Sequence, residues 1–144
     1  MAERGKKIVI VGGGFAGLQL AKKLNKSSYH VLLLDKENHY QFQPLFYQVA
    51  SARLEPSNIS FPFRKVFQRS RNIDYRMTEV KAVKPEQHVV ETSIGPIAYD
   101  ILVLANGCKT NFFGNQEIAA HALSMKTTQE AIDIRNEILL GFER

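Results

Sequence analysis

The sequence predicts an α/β fold, a doubly wound parallel sheet with a three-stranded antiparallel β-meander as one crossover. Three observations support this fold class. The β-branched run at residues 7–11 stops at three consecutive glycines. A segment whose apolar residues recur at helical spacing comes next, and a second apolar run follows it, all within about thirty residues. A series of short strand candidates then leads to a last apolar run at residues 101–105. Continuous apolar runs of this length are typical of parallel strands buried on both faces.

Composition favours one modest domain formed by residues 1–144. Hydrophobic residues make up 44% of the chain and charged residues 23%, close to the average for soluble globular domains. The formal net charge of +5 permits an anionic partner without requiring one. The single cysteine, Cys108, excludes an internal disulfide and a two-thiol redox centre within these residues. No run reaches the roughly 20 apolar residues that a membrane-spanning helix needs.

The first elements form a predicted βαβ unit. Residues 7–11 are expected to form a buried strand, and residues 15–26 a helix whose apolar positions recur at helical spacing. Lysines concentrate near the end of this helix, where the helix dipole favours cations. Residues 30–34 are a second buried strand that ends in Asp35. A strand, a helix and a strand in this order predict parallel pairing with a right-handed crossover.

The middle of the chain is predicted to hold two helices and three short strands. Residues 44–51 are expected to be helical, and residues 61–69 are expected to hold a second short helix entered through Ser60 and Pro62. Three short strand candidates follow, separated by turn signals, at residues 79–84, 88–92 and 96–99. These strands predict the β-meander.

The last elements are a strand and a long helix. Residues 101–105 are continuously apolar and stop at Asn106 and Gly107, which predicts another interior parallel strand. A capping box, with Thr127 as the N-cap and Glu130 three residues later, predicts a helix from residue 128 to the end of the chain.

A glycine motif lies between the first strand and the first helix. Gly12 would permit the tight turn, Gly14 would let a pyrophosphate approach the backbone, and Gly17 would let helix and strand pack closely. The helix N-terminus supplies N–H groups and partial positive charge for the phosphates. This G-x-G-x-x-G pattern predicts a Rossmann-like dinucleotide site, and its members are Gly12, Gly13, Gly14, Phe15, Ala16 and Gly17.

Asp35 is the expected ribose ligand of this site. It lies at the end of the second strand, eighteen residues beyond Gly17, where an acid can accept hydrogen bonds from the ribose hydroxyls and repel a 2′-phosphate. The alternative is a glycine-rich turn in an ordinary α/β domain, with Asp35 a solvated residue at a strand end. The motif by itself does not separate NAD from FAD.

Two later segments resemble flavoproteins that contain two dinucleotide-binding domains. In that superfamily a three-stranded meander forms a crossover of the FAD domain. The segment at residues 99–107 resembles the superfamily pattern YDxLVxATG, with Asn106 in place of the usual threonine. The resemblance implies that Gly107 passes close to the flavin nucleotide.

Within this superfamily the chain resembles the type II NADH:quinone oxidoreductases, which are single-subunit NADH dehydrogenases. The segment at residues 42–50 is the most specific part of the resemblance, and it lacks the cysteine pair of the related disulfide reductases. Nearly the whole chain is covered. The matching segments are residues 8–18, 34–36, 42–50, 111–114, 124–127, 130–131 and 135–136.

The resemblance implies an FAD cofactor that receives hydride from NADH and passes electrons to a membrane quinone. The glycine motif would hold the FAD pyrophosphate and Asp35 the adenosine ribose. The resemblance also implies that Lys36 and the backbone of Val80 lie near the ribose and adenine, and that Gln43 and Pro44 lie toward the isoalloxazine ring. Taken alone, each of these four residues is also compatible with a purely structural role.

The resemblance also implies what lies outside these residues. No second G-x-G-x-x-G is present for NADH, so the chain is expected to be an N-terminal portion that is soluble and inactive alone. In the complete protein a C-terminal region would attach to the cytoplasmic side of the inner membrane. The resemblance is also compatible with a homodimer. No residue of this portion is assigned a catalytic role.

Other functions remain as alternatives at this point. A sulfide:quinone or ferredoxin reductase shares the superfamily, and further cysteines would mark the former. A nucleotide-binding module without redox activity would bind FAD no more tightly than NAD or ADP. The four histidines lack metal-ligand spacing, so no metal site is expected. The basic residues between 64 and 76 lack an RNA-binding signature, so no nucleic acid is expected.

Overall fold

The structure is a computed structural model that describes residues 5–144. Its strands are β1 (Lys7–Val11), β2 (His30–Asp35), β3 (His39–Gln41), β4 (Ser60–Pro62), β5 (Ile73–Met77), β6 (Val80–Lys84), β7 (Val89–Thr92), β8 (Gly95–Ala98) and β9 (Ile101–Leu104). Its α-helices are α1 (Phe15–Lys23), α2 (Phe46–Ala50), α3 (Phe63–Phe67), α4 (Gln116–His121) and α5 (Thr128–Glu143). Short 3-10 helices cover Gln43–Leu45, Pro56–Ile59 and Pro85–Gln87.

The chain divides into two units that each have their own core. Among the described residues, the first unit consists of residues 5–40 and 62–107, and the second of residues 41–61 and 108–144. The short strands β3 and β4 pair with each other in a two-stranded sheet. Among residues 5–144, no helix combines the length and the apolar character required to cross a membrane.

The first unit contains a parallel four-stranded sheet in the order β5-β2-β1-β9. In register, Ile10 of β1 lies beside Leu33 of β2 and Val103 of β9. Because side chains alternate along a strand, the two faces of the sheet carry different apolar sets. One set, which includes Ile10 and Leu33, packs with α1 and α3, and Phe63 of α3 belongs to the same core cluster. The two strands at the centre of the sheet are therefore buried on both faces, as their sequences predicted.

The meander covers the opposite face of this sheet. Strands β6, β7 and β8 form a three-stranded antiparallel sheet, and Val90 of β7 packs against Val9, Val11, Leu32 and Leu34. The predicted α/β class with a meander is therefore confirmed, and each meander strand lies within one or two residues of its expected position.

Two expectations about the parallel sheet need correction. Residues 101–105 were expected to form an interior strand, but β9 pairs only with β1 among the described strands and lies at the edge of the sheet. Ile101 is 39% exposed and Leu104 61% exposed. An apolar run indicates a strand suited to burial, and it does not determine which neighbours that strand pairs with. Strand β5 was not expected at all, because its alternating Asp74 and Arg76 break the apolar pattern.

Helix α1 ends three residues earlier than expected, at Lys23. The side chain of Asn72 accounts for the early end. Its amide nitrogen donates to the carbonyl oxygens of Leu24 at 2.9 Å and Tyr29 at 3.0 Å, and its oxygen accepts from the backbone N–H of Lys26 at 3.0 Å. Lys26 has a φ of +65°, which a continuing helix cannot adopt. A residue distant in sequence thus ends the helix.

Residues 61–69 hold the expected short helix, α3. Ser60 and Pro62 belong to strand β4, and α3 begins only at Phe63, with Pro62 as its N-cap. Residues 44–51 are helical as expected, although the first turn is a 3-10 helix before α2 begins.

The second unit is built around α2 and α5. Phe46, Val49, Ile59 and Ala131 are buried together in its core. The capping box predicted at the start of α5 is confirmed.

Several hydrogen bonds converge on the carboxylate of Glu130 at the start of α5. The hydroxyl of Ser124 donates to one carboxylate oxygen, and the backbone N–H groups of Lys126 and Thr127 donate to the other at 2.6 and 3.0 Å. These bonds, the one from Ser124 foremost, lower the pKa of Glu130, and partial burial opposes them. The ionised carboxylate therefore stabilises the start of the helix.

Replacing this carboxylate should make the fold less sensitive to acid. Because the pKa of Glu130 is lowered in the folded chain, its stabilisation is complete above the ordinary value of 4.5 and is lost as the pH falls through the folded pKa. The free energy of unfolding of Glu130→Gln, measured by urea denaturation, should fall less between about pH 7 and about pH 3.5 than that of the wild type. Glu137→Gln, on the same helix, is the control. Equal pH dependence in the wild type and Glu130→Gln would contradict the assignment.

Candidate functional site

The glycine motif forms the turn between β1 and α1, as the sequence predicted. Gly12 has a φ of +102°, a conformation that favours glycine. Its N–H donates to the carbonyl oxygen of Leu34 at 2.8 Å. A Cβ on Gly12 would lie 2.3 Å from the carbonyl oxygen of Ala105. Both the conformation and the space at this position therefore require glycine.

Gly17 and Gly13 are in close contact with their surroundings. A Cβ on Gly17 would lie 1.8 Å from the carbonyl oxygen of Gly12, so only glycine lets α1 approach the end of β1 this closely. A Cβ on Gly13 would lie 2.2 Å from the ring of Phe63. The turn is thus held between the backbone of α1 and an aromatic ring of α3.

Gly14 differs from these three glycines because the space beside it is open. Apart from Gly14 and its two chain neighbours, no heavy atom of the described residues lies within 4 Å of the position that its Cβ would take. Gly14 is the N-cap of α1 and makes no side-chain cap hydrogen bond. Phe15 and Ala16, in the first turn, are exposed. A cradle of backbone N–H groups with open space in front of it suits a bound anion.

Asp35 lies beside the glycine turn, at the end of the neighbouring strand. One carboxylate oxygen accepts from the backbone N–H of Gly13 at 2.5 Å, and the other accepts from the N–H of Glu37 at 2.9 Å. The carboxylate is half-buried. Each carboxylate oxygen has a second lone pair that can accept a hydrogen bond from a ligand.

Three other predicted residues lie in the first unit. Lys36 follows Asp35 and is exposed. Val80 begins β6, two residues after Thr78, whose N–H donates to the carbonyl oxygen of Asp35 at 2.8 Å. Gly107 follows β9 with a φ of +68° and has no neighbour within 4 Å of its Cβ position.

Gln43 and Pro44 belong to the second unit. They are the first two residues of a 3-10 helix, and both are exposed. Their expected role toward an isoalloxazine ring stays a prediction.

The sequence analysis missed two aromatic residues that support the site. Phe63 lies under Gly13, and the ring of Tyr75 packs on it with a centroid distance of 4.9 Å. The hydroxyl of Tyr75 donates to the carbonyl oxygen of Glu37 at 2.6 Å. Phe63 lies within residues 61–69, where the sequence predicts a short helix but gives no sign of contact with the glycine motif. Tyr75 lies in the strand that was not expected, so the pattern carried no signal for it.

Cys108 is exposed, and the ammonium group of Lys126 lies 4.0 Å from its sulfur. Within residues 5–144 there is no cluster of three or more histidine, cysteine, aspartate or glutamate side chains that could hold a metal ion. The groups brought together at the site are thus backbone N–H groups and one carboxylate, which suit binding and orientation.

Comparison with known proteins identifies relatives of nearly the whole chain. A family model described as pyridine nucleotide-disulphide oxidoreductase matches residues 6–139. A type II NADH:quinone oxidoreductase of Mycobacterium tuberculosis is 35% identical over 141 residues, which are 95% of this chain and 30% of that protein. The chain therefore spans about a third of the length of the curated relatives that it matches.

Solved structures show the same architecture. The structure of NDH2 from Plasmodium falciparum in complex with NADH superimposes with a TM-score of 0.88 at 25% identity, over 97% of this chain and 30% of that one. A sulfide:quinone oxidoreductase from Aquifex aeolicus gives a TM-score of 0.83 at 24% identity, over 97% of this chain and 33% of that one. The second likeness shows the fold alone.

The glycines of the motif should respond differently to alanine. Gly17→Ala should lower the free energy of unfolding by about 2 to 3 kcal/mol, because the new methyl group meets a backbone oxygen that cannot move independently. Gly14→Ala should cost less than about 1 kcal/mol, since the methyl group enters open space at an N-cap. Urea denaturation measures both values. A Gly17→Ala variant as stable as Gly14→Ala would contradict the close packing of α1 on β1.

Proposed function

Because the chain belongs to the pyridine nucleotide-disulphide oxidoreductase family, we propose that it binds FAD in a flavoprotein that transfers electrons from NADH to a membrane quinone. The observation that carries the proposal is the open backbone cradle at Gly14, with the carboxylate of Asp35 tied to the same turn. Two relatives, a type II NADH:quinone oxidoreductase and NDH2 in complex with NADH, support the proposed electron donor and acceptor.

The cradle at the start of α1 fits a pyrophosphate. Backbone N–H groups in the first turn of a helix carry partial positive charge, and anions bind there without a cationic side chain. Gly14 leaves the approach open, whereas any larger residue would place atoms in front of the turn. Residues 12–17 would thus hold the two phosphates and fix the orientation of the dinucleotide.

Asp35 fits the adenosine ribose. Its carboxylate is fixed by the N–H groups of Gly13 and Glu37, and it retains lone pairs for two hydroxyl donors. The negative charge would disfavour a ribose that carries a 2′-phosphate. Lys36 follows Asp35 in sequence, and Val80 lies two residues after Thr78, whose N–H donates to the carbonyl oxygen of Asp35. Lys36 and the backbone at Val80 are proposed near the ribose and adenine.

The flavin end of the cofactor is assigned by the family resemblance. Gly107 has the positive φ and open surroundings that let a ligand approach the backbone. Gln43 and Pro44 are exposed and are proposed to face the isoalloxazine ring.

The cofactor, when bound, supplies a flavin that can accept hydride from NADH and pass electrons to a quinone. The residues of this chain bind and orient the cofactor, and none of them is proposed to transfer a proton. Binding of NADH, contact with the cytoplasmic face of the inner membrane and pairing of two copies belong to the proposal for the complete protein.

Removing the carboxylate of Asp35 should weaken FAD binding. Asp35→Ala deletes a charged acceptor, so the Kd for FAD should rise by about 5- to 150-fold, which corresponds to about 1 to 3 kcal/mol. Fluorescence titration of the apo chain with FAD measures this change, and circular dichroism verifies the fold.

The matched control is Asp74→Ala, which removes an exposed aspartate from the adjacent strand and changes the net charge equally. Its Kd should stay within about twofold of the wild type. Unchanged FAD affinity in a folded Asp35→Ala variant would overturn the assignment of the ribose site.

A further inference from the structure

The segment at residues 35–38 is held from several sides by the backbone and by one side chain. The carbonyl oxygen of Asp35 accepts from the N–H of Thr78 at 2.8 Å. The carbonyl oxygen of Asn38 accepts from the N–H of Phe63 at 3.1 Å. Between these two bonds, the hydroxyl of Tyr75 donates to the carbonyl oxygen of Glu37 at 2.6 Å. Among these three bonds, the one from Tyr75 alone uses a side-chain donor.

Glu37 connects Tyr75 to the proposed ribose ligand. Its carbonyl oxygen accepts from Tyr75, and its N–H donates to a carboxylate oxygen of Asp35 at 2.9 Å. The N–H and the carbonyl of Glu37 lie in adjacent peptide planes that meet at its Cα, so a bond that fixes the carbonyl reduces the conformations open to the N–H. The hydroxyl of Tyr75 is thus connected to the carboxylate of Asp35 through a single residue.

We propose that Tyr75 is a positioning residue for FAD binding, holding Asp35 through Glu37 in the orientation that the adenosine ribose requires. The inference rests on the proposed function and adds to it a residue that selects FAD over FMN. FMN lacks the adenosine ribose, so its binding does not use Asp35.

The packing of Tyr75 makes it suitable for this role. Its ring lies on Phe63 with an interplanar angle of 30°, and it packs against the core on the helical face of the sheet. Phe63 is 1% exposed, and its ring is the group that a Cβ on Gly13 would meet. One aromatic pair thus supports both the glycine turn and the segment at residues 35–38.

The hydroxyl stays a donor across the physiological range. Burial, with the nearby carboxylate of Asp35 as the next cause, raises the pKa of Tyr75 to about 12. Arg64 opposes this shift and Glu37 adds to it. A protonated hydroxyl can donate to the carbonyl oxygen of Glu37, whereas a phenolate could not.

The test is a double-mutant cycle on FAD affinity. Tyr75→Phe keeps the ring and removes only the hydroxyl, so the Kd for FAD should rise about three- to tenfold. In the Asp35→Ala background the same change should have no further effect, because the carboxylate that Tyr75 positions is gone. Tyr99→Phe, a change at a half-buried tyrosine after the meander, is the matched control and should leave the Kd unchanged.

A second comparison uses FMN. Tyr75→Phe should lower the ratio of FAD affinity to FMN affinity, whereas a residue that merely stabilises the fold would weaken both and leave the ratio unchanged. Equal loss for the two flavins, or a three- to tenfold loss that persists in the Asp35→Ala background, would overturn the role of Tyr75. An effect of Asp35→Ala without any effect of Tyr75→Phe would overturn this inference alone. No effect of Asp35→Ala would overturn the proposed ribose site as well.

Discussion

The close approach of α1 to the end of β1 is the constraint on which the rest of the site depends. A Cβ on Gly17 would lie 1.8 Å from the carbonyl oxygen of Gly12, so the helix reaches this position only because the residue is glycine. The helix N-terminus is thereby placed at the carboxyl end of the sheet, next to Asp35 of the adjacent strand. This edge of a parallel sheet is where α/β folds bind ligands. The open side of Gly14 is then accessible to a ligand.

The sheet makes this arrangement rigid. Its two central strands are apolar on both faces, and each face has its own covering layer, the helices on one side and the meander on the other. A dinucleotide site needs fixed backbone donors, because their value lies in preorganisation. The two layers also supply supporting residues, with Phe63 and Tyr75 on the helical face and the backbone of Thr78 at the start of the meander.

Much of this fold could be predicted from the sequence because its signals are local. Strand-length apolar runs, the glycine motif and the capping box of Thr127 and Glu130 each depend on neighbouring residues. The early end of α1 could not be predicted, since it is set by Asn72, which is distant in sequence. Strand β5 was missed because its edge position lets it carry charged residues.

The site shows the same difference between signals from neighbouring residues and contacts between residues distant in sequence. The roles of the glycines followed from their order along the chain, whereas Tyr75 depends on the pairing of β5 with β2 and has no pattern of its own. The edge position of β9 likewise depends on strand order, which hydrophobicity does not determine.

The most direct test of the account is a titration of the apo chain with FAD, NAD and ADP under identical conditions, followed by desalting and a visible absorbance spectrum. A flavin-binding domain should bind FAD more tightly than NAD and ADP, and a flavin spectrum should stay with the protein. A folded chain that binds FAD no more tightly than ADP would contradict the assignment of this domain to a flavin.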